Sequence, residues 1–198
     1  MKKKYDQVYQ FKITLKGIKP QIWRRIQVPE TYTFWDLHAA IQDAMGWEDY
    51  HLHEFTFTLP LTKIKVCIGI PMEDDLEETM LPGWEINIHD LFTLESPNGD
   101  YYYDFGDGWQ HSVTLEKILP REAGVIYPQC IDGKRACPPE DCGGIGGYAE
   151  FLEAIRNPAH ELHEDMLDWI GGEFDPEDFD ANEVKFDDPA KRFKIAFG

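Results

Sequence analysis

This sequence predicts an α+β domain: a mostly antiparallel sheet with helices packed on one side and a helical C-terminal segment. Three observations carry that expectation. Several stretches alternate polar and apolar residues with period two, one segment places apolar residues at helical spacing between two cap signals, and the last third of the chain is helical again. In order along the chain, Tyr9, Phe11, Ile13 and Leu15 alternate with Gln10, Lys12, Thr14 and Lys16, the pattern of a half-buried strand. Gly17 to Pro20 turns the chain, and Ile22, Arg24, Ile26 and Val28 form a second strand that Pro29 stops, so the first two strands read as a hairpin with a long loop. Thr33 is an N-cap with Asp36 at the third helical position. Phe34, Leu37, Ile41, Ala44 and Met45 follow at helical spacing, and Gly46 supplies a left-handed C-terminal cap.

Period two returns after Trp47, with His51, His53, Phe55, Phe57 and Leu59 on one face, then Ile64, Val66, Ile68 and Ile70 on another strand. Glu73 to Glu78 has too little apolar content for a core and reads as an exposed loop, with a short helix around His89 to Phe92. Tyr101 to Phe105, the Gly106-Asp107-Gly108 turn and Trp109 to Ile118 make the strongest hairpin signal. Residues 120–147 are rich in Pro, Gly and Cys and read as one long structured loop, a length that asks for a functional or stapling reason. Helices are expected from Tyr148 to Arg156, burying Phe151, Leu152 and Ile155, and from about Pro158, turning Leu162, Met166, Trp169 and Ile170 inward before Gly171-Gly172. Asp175-Pro176 looks like a further cap and first turn. Residues 1–198 thus form a single domain, with no internal repeat.

Composition narrows the function classes. With 198 residues, 42% apolar, the chain can bury a core without staples. No run of 18 apolar residues and no signal-peptide core is present, so a cytoplasmic protein without a membrane role is expected. Four cysteines at 67, 130, 137 and 142 suit thiols or metal ligands in a reducing compartment rather than a disulfide scaffold. The net charge of -18 argues against broad nucleic-acid binding. Residues 1–25 carry eight Lys/Arg against Asp6 alone, whereas residues 66–116 hold twelve acids and no Lys or Arg. Direct nucleic-acid binding is therefore expected to be weak or absent and confined to that basic strip, which reads first as a solvated strand face.

Four strings occur together in this order: Phe11-Lys12-Ile13-Thr14-Leu15 with Pro20-Gln21-Ile22-Trp23-Arg24-Arg25; His51-Leu52-His53-Glu54-Phe55; Tyr103-Asp104-Phe105-Gly106-Asp107-Gly108-Trp109-Gln110-His111; and Cys137-Pro138-Pro139-Glu140-Asp141-Cys142-Gly143-Gly144. In these the chain resembles the plasmid pRi ORF-three-like family, which includes the TnpR-like passenger proteins of transposons, over roughly residues 5 to 186. The resemblance implies one intact α+β domain and a prokaryotic, often mobile-element, origin, and it brings no biochemical activity with it. The TnpR label suggests a resolvase. The only serines, Ser96 in a turn and Ser112 in a strand, and the acidic C-terminus do not supply a resolvase's nucleophile or its basic DNA-binding helices.

The residues offer several chemical candidates, each with a plain structural reading beside it. Cys137 and Cys142, with Cys130 ahead of them, have the spacing of zinc ligands, and His111 on the preceding hairpin is the favoured fourth donor; the plain reading is a rigid loop with buried thiols. His51 and His53 share a strand face and could meet one metal, or form a hydrogen-bonded pair in the core. Asp104, Asp107, Glu140 and Asp141, with Arg135 in the same loop, could serve a divalent cation or general acid/base chemistry, or bond turn amides. His160-Glu161-Leu162-His163-Glu164 lacks the spacing of a zinc protease, Asp104-Phe105-Gly106 lacks every other kinase element, and the Gly143 to Gly147 run lacks the Lys-Ser/Thr of a nucleotide loop. With no complete catalytic constellation, the leading expectation is a non-catalytic interaction or accessory module whose partner is a protein, such as a basic DNA-binding protein. The alternative is a zinc-dependent hydrolase or nuclease using the Cys-rich loop and the His111 hairpin.

Overall fold

The computed structural model describes residues 4–59, 61–71 and 80–198. The expected acidic loop at Glu73 to Glu78 lies outside the described residues. Among the described residues eight strands form one sheet: β1 (Gln7–Leu15), β2 (Trp23–Pro29), β3 (His53–Thr58), β4 (Lys65–Gly69), β5 (Met80–Pro82), β6 (Asn98–Tyr103), β7 (Trp109–Pro120) and β8 (Gln129–Lys134). Their order is β5-β4-β3-β6-β7-β1-β2-β8, antiparallel except for the β4–β5 pair. The fold is α+β, with helices α1 (Phe34–Met45), α2 (Gly144–Arg156), α3 (His163–Ile170) and α4 (Pro189–Phe197), and a 3-10 turn at Ile88–Asp90. Among the described residues no helix is long and apolar enough to cross a membrane.

The period-two pattern determines which face is buried. Leu15 lies opposite His111, His111 opposite Tyr101, Tyr101 opposite Phe55, and Phe55 opposite Ile68, so one row of inward side chains crosses five strands. Helix α1 covers this face. Thr33 and Asp36 form the expected capping box, and Gly46 closes the helix in the left-handed conformation. Phe34 is fully buried with its ring 5.1 Å from Phe55 and 5.5 Å from Phe57, both edge-on, a geometry that adds to area burial. Gly99 sits where the Phe57 ring passes: a Cβ there would come within 2.6 Å of it.

The opposite face is polar and internally paired. Lys16 meets Asp100 at 2.6 Å, and Arg25 meets Glu116 at 2.7 Å and Asp132 at 2.8 Å. Arg24, counted in the basic strip, turns inward and is 2% exposed. Lys16 and Arg25 of that strip are thus matched by acids on the same sheet, and Arg24 is withdrawn from solvent.

Three expectations are corrected. The 120–147 segment is not all loop, because β8 pairs with β2 and forms the sheet's edge. The helix expected from Pro158 begins at His163 and packs on α2 rather than on the sheet; Trp169 lies edge-on to Phe151 at 5.6 Å and stays 47% exposed. Asp175 accepts the Glu177 N–H as a cap would, but a turn follows instead of a helix. Helix α4, unforeseen, lies on α1: Trp35 Nε1 donates to the Pro189 carbonyl and packs edge-on against Phe193 and Phe197.

Candidate functional site

Three chain segments meet at one end of the sheet. The first is the link from Gly46 to β3, which carries Trp47, Asp49 and His51. The second is the β6–β7 turn with Asp104, and the third is the turn before α2 with Glu140 and Asp141. Trp47 organises them: its ring stacks on Tyr103 with centroids 5.0 Å apart, and its Nε1 donates to the Pro138 carbonyl at 2.9 Å, tying the Cys-Pro-Pro turn to the core. Asp107 Oδ2 accepts the Gly143 N–H, joining hairpin turn to loop. Gly144 permits the approach, since it has φ +67° and a Cβ on it would lie 2.4 Å from the Asp107 carbonyl oxygen.

His51 sits among three carboxylates. Its Nε2 is 2.9 Å from Asp141 Oδ1, 3.6 Å from Asp104 Oδ2 and 3.9 Å from Glu140 Oε2. That nitrogen is shielded from solvent and makes no hydrogen bond of acceptable alignment. Two of the carboxylates are held from behind. Asp104, 6% exposed, accepts the N–H groups of Gly106 and Asp107 on Oδ1, which leaves Oδ2 for His51. Glu140 Oε1 accepts the Tyr103 O–H at 2.9 Å and the Glu48 N–H at 2.8 Å. Asp104 and Asp141 have φ of +53° and +56°, which aspartate adopts more readily than most residues. One atom each from His51, Asp104 and Asp141 lies within 4.8 Å of the others, a spacing a small cation could bridge. The exposed rings of Tyr50 and Phe105 adjoin His51 and Asp104 in sequence.

The other expected residues are placed elsewhere. His53 points into the core, away from its strand-mate's cluster, because the chain at His51 has not yet entered the strand. Cys130 lies on β8 with its Sγ 3.5 Å from the Asp132 carbonyl oxygen. Cys137 is buried against Met45, with sulfurs 3.8 Å apart, and Cys142 packs at the start of α2. Burial pushes the Cys137 and Cys142 thiols up to about 12, favouring the protonated form. Among the described residues neither group of three or more closely spaced ligand atoms contains a cysteine or His111. Arg135 is buried, donating to Glu177 and to the Pro20 carbonyl, and so fastens the loop rather than facing the carboxylates. Sequence reasoning missed Tyr103 and Glu48, whose contributions are a phenol on an alternating strand and a backbone N–H.

His111 lies under the site, fully buried, edge-on to Trp47 and with Nε2 unpaired. Burial lowers its pKa to about 3. Below the free value near 6.5 the unfolded chain takes up a proton that the native protein refuses, so this histidine costs stability as pH falls from about 6.5 to about 3 and nothing above that range. The His111→Phe variant is expected to lose about 1.4 kcal/mol less per pH unit than the parent in urea unfolding between pH 6 and pH 4. Equal slopes would contradict the assignment.

Known proteins resemble this chain over nearly its whole length. A protein described as "Uncharacterized protein y4hQ" from Sinorhizobium fredii (strain NBRC 101917 / NGR234) is 35% identical over 182 residues, covering 90% of this chain and 87% of its own. The crystal structure of a protein of unknown function, MM3350 from Methanosarcina mazei Go1, is 51% identical and superimposes with a TM-score of 0.85, covering 92% of this chain and 100% of that one. The family model for plasmid pRiA4b ORF-3-like proteins matches residues 7–183, which takes in every element of the site just described. The chain therefore belongs to the plasmid pRiA4b ORF-3-like protein family.

Proposed function

We propose that His51, Asp104 and Asp141 bind one divalent cation and that the protein is a metal-dependent hydrolase built on that site. The supporting observation is the convergence of one imidazole nitrogen and two carboxylate oxygens within 4.8 Å, drawn from three separate strings of the sequence. A cation held by these three side chains would supply the acidity that lets a bound water act as a nucleophile. The residues then have distinct parts. His51 and Asp141 hold the outer side, and Asp104, fixed by two backbone N–H groups, holds the inner side. Glu140, with Oε1 anchored and Oε2 3.9 Å from His51 Nε2, stands beside the ligand atoms and can take a proton from water. The cysteines take no part in this reading, although zinc is one of the cations it would accept.

Titration calorimetry of metal-free protein with zinc, manganese and magnesium salts tests the site. The His51→Ala/Asp141→Asn variant is expected to lose one equivalent, its affinity there falling on the order of 100-fold or more. Identical titrations of parent and variant would overturn it. Loaded protein assayed on phosphoester, carboxylic ester and peptide substrates tests the hydrolase part.

A second reading is a non-catalytic accessory module for a basic protein partner, such as a DNA-binding protein. It draws support from the net charge of -18 together with the pairing of Lys16 and Arg25 within the sheet, which leaves the acidic excess to face outward. Cation binding without hydrolysis of any substrate class would favour it. Both readings keep direct nucleic-acid binding weak.

A further inference from the structure

A cavity of about 260 Å³ opens between α2 and α3, next to the His51 cluster. Leu162, just before α3, and Met166 and Trp169 within it recur at helical spacing, so all three turn to one side and line the cavity. Phe151 meets them from α2, with the Trp169 ring edge-on to it at 5.6 Å. Cys142 adds an uncharged wall, because burial pushes its thiol up to about 12. Asp141 also lines the cavity, and its Oδ1 is the atom 2.9 Å from His51 Nε2. One residue is thus common to the cavity and to the cluster.

The frame around this space is fixed by contacts outside it. At the start of α3, His163 Nδ1 donates to the Ala154 carbonyl of α2 at 2.8 Å, and Phe174 packs edge-on against Phe151 at 5.2 Å. The spacing of the two helices therefore does not depend on what lies between them. Trp169 stays 47% exposed although Phe151 beside it is buried, so the burial of this apolar wall is incomplete. Covering it is favourable in proportion to the apolar area taken from water. Size and charge then limit what fits. A cavity of about 150 Å³ lined by apolar side chains accepts benzene, whereas pockets for drug-sized molecules start at roughly 300 Å³, so this one suits a single ring or a branched alkyl chain. Among the described residues, the charged groups lining it are Asp141 and Glu150, both acidic, and an anionic group placed there would be repelled.

We propose that the α2–α3 cavity is the specificity subsite of the His51, Asp104 and Asp141 cluster and receives an uncharged aromatic or branched alkyl group of the substrate, a role that rests on the cation-dependent hydrolase reading and narrows its substrate class. The substrates selected are those with one bulky apolar group next to the scissile bond and no negative charge on that group. Phe151, Met166 and Trp169 supply the surface that the group covers. Asp141 links recognition to the cluster, because the same turn that carries it to His51 leads through Cys142 into the cavity wall.

Two titrations of the full-length protein test this. In the first, metal-free protein receives toluene or benzoate while NMR follows the Met166 methyl and the Trp169 indole N–H. Toluene is expected to move both signals saturably, with benzoate weaker on the order of 10-fold or more. Met166→Trp, which fills the cavity, should weaken toluene by a similar factor at Trp169. No saturable shift, or equal affinity for benzoate, overturns the proposal. In the second, calorimetry of zinc-loaded protein compares benzohydroxamate with acetohydroxamate, which share a metal-binding group and differ in the ring. The ring should raise affinity on the order of 10-fold or more, and Met166→Trp should erase that difference. Equal affinities in the parent overturn the link between cavity and cluster. Both comparisons between ligands use the parent protein and stand even where the variant fails to fold. Toluene binding by a protein that takes up no zinc would overturn the hydrolase reading while supporting the cavity as an apolar binding site, so the two failures are distinct.

Discussion

Replacing Trp47 by alanine is expected to remove about 3–5 kcal/mol of stability and to weaken cation binding at His51, Asp104 and Asp141, although Trp47 contributes no ligand atom. The indole is 4% exposed, stacks on Tyr103 and packs against Trp109 and His111, so truncation leaves a large cavity under the site. It also strips the Pro138 carbonyl of its donor, and the turn carrying Glu140 and Asp141 loses its attachment to the core. Trp47→Phe separates the two effects, because it keeps most of the ring contacts and loses only the N–H. Urea unfolding should then show the smaller loss, while calorimetric titration of zinc should still be weakened. A Trp47→Phe protein with parental zinc affinity would show that the indole hydrogen bond does not position the turn.

The second large effect is expected at Arg24. Its Nε donates to the Ala44 carbonyl at 2.8 Å, and its Nη1 donates to the carbonyls of Trp23 and Lys134 at 3.0 Å each. The guanidinium lies 3.8 Å from the Phe179 ring centre, and burial lowers its pKa. One side chain thus joins the last turn of α1, strand β2 and strand β8 through acceptors that no water reaches easily. Arg24→Ala should cost about 3–5 kcal/mol in urea unfolding, from the cavity and the stranded carbonyls together. Arg24→Met, which refills most of the volume, should recover part of that loss. A cost below about 1 kcal/mol for Arg24→Ala would mean that the carbonyls find other donors.

How far residue pattern alone reaches can be judged element by element. Strands β1, β2, β3, β6 and β7 are legible because each has a drier and a wetter face that period two reports, helix α1, buried on nearly every side, is legible from its caps and apolar spacing, and β4 is legible from its apolar run although Cys67, Ile68 and Gly69 are all buried. Strand β8 is not, since an edge strand in which Asp132, Gly133 and Lys134 follow Gln129 carries no alternation to detect. Helix α3 is legible from the spacing of Met166 and Ile170 and from its stop at Gly171, only its start being displaced, whereas α4 has no buried residue and is held by α1, so its sequence answers to contacts that periodicity does not reveal. For the site, the acids of the two turns and His51 were legible as residue types. Their meeting was not, because it depends on how Trp47 and the Asp107–Gly143 bond fold the loop over the hairpin. The cysteines illustrate the reverse: ligand-like spacing was present, yet Cys137 is used as a small apolar residue against Met45.

The position of β1 between β2 and β7 has a consequence for synthesis on the ribosome. Its partner β2 follows within a few residues, but the other edge of β1 waits for a strand whose pairing runs from His111 opposite Leu15 to Pro120 opposite Gln7. Until roughly the first hundred residues and more have emerged, the nascent hairpin presents a bare edge, with Phe11 and Ile13 lacking the neighbours Leu115 and Val113. Closing such distant pairs is slow, on a scale of milliseconds to seconds for sheet-dominated domains, and an unpaired apolar edge is what aggregation and chaperones both recognise. The N-terminal hairpin is therefore the segment whose yield in the cell should depend most on translation rate and on chaperone supply, independently of how stable the finished sheet is.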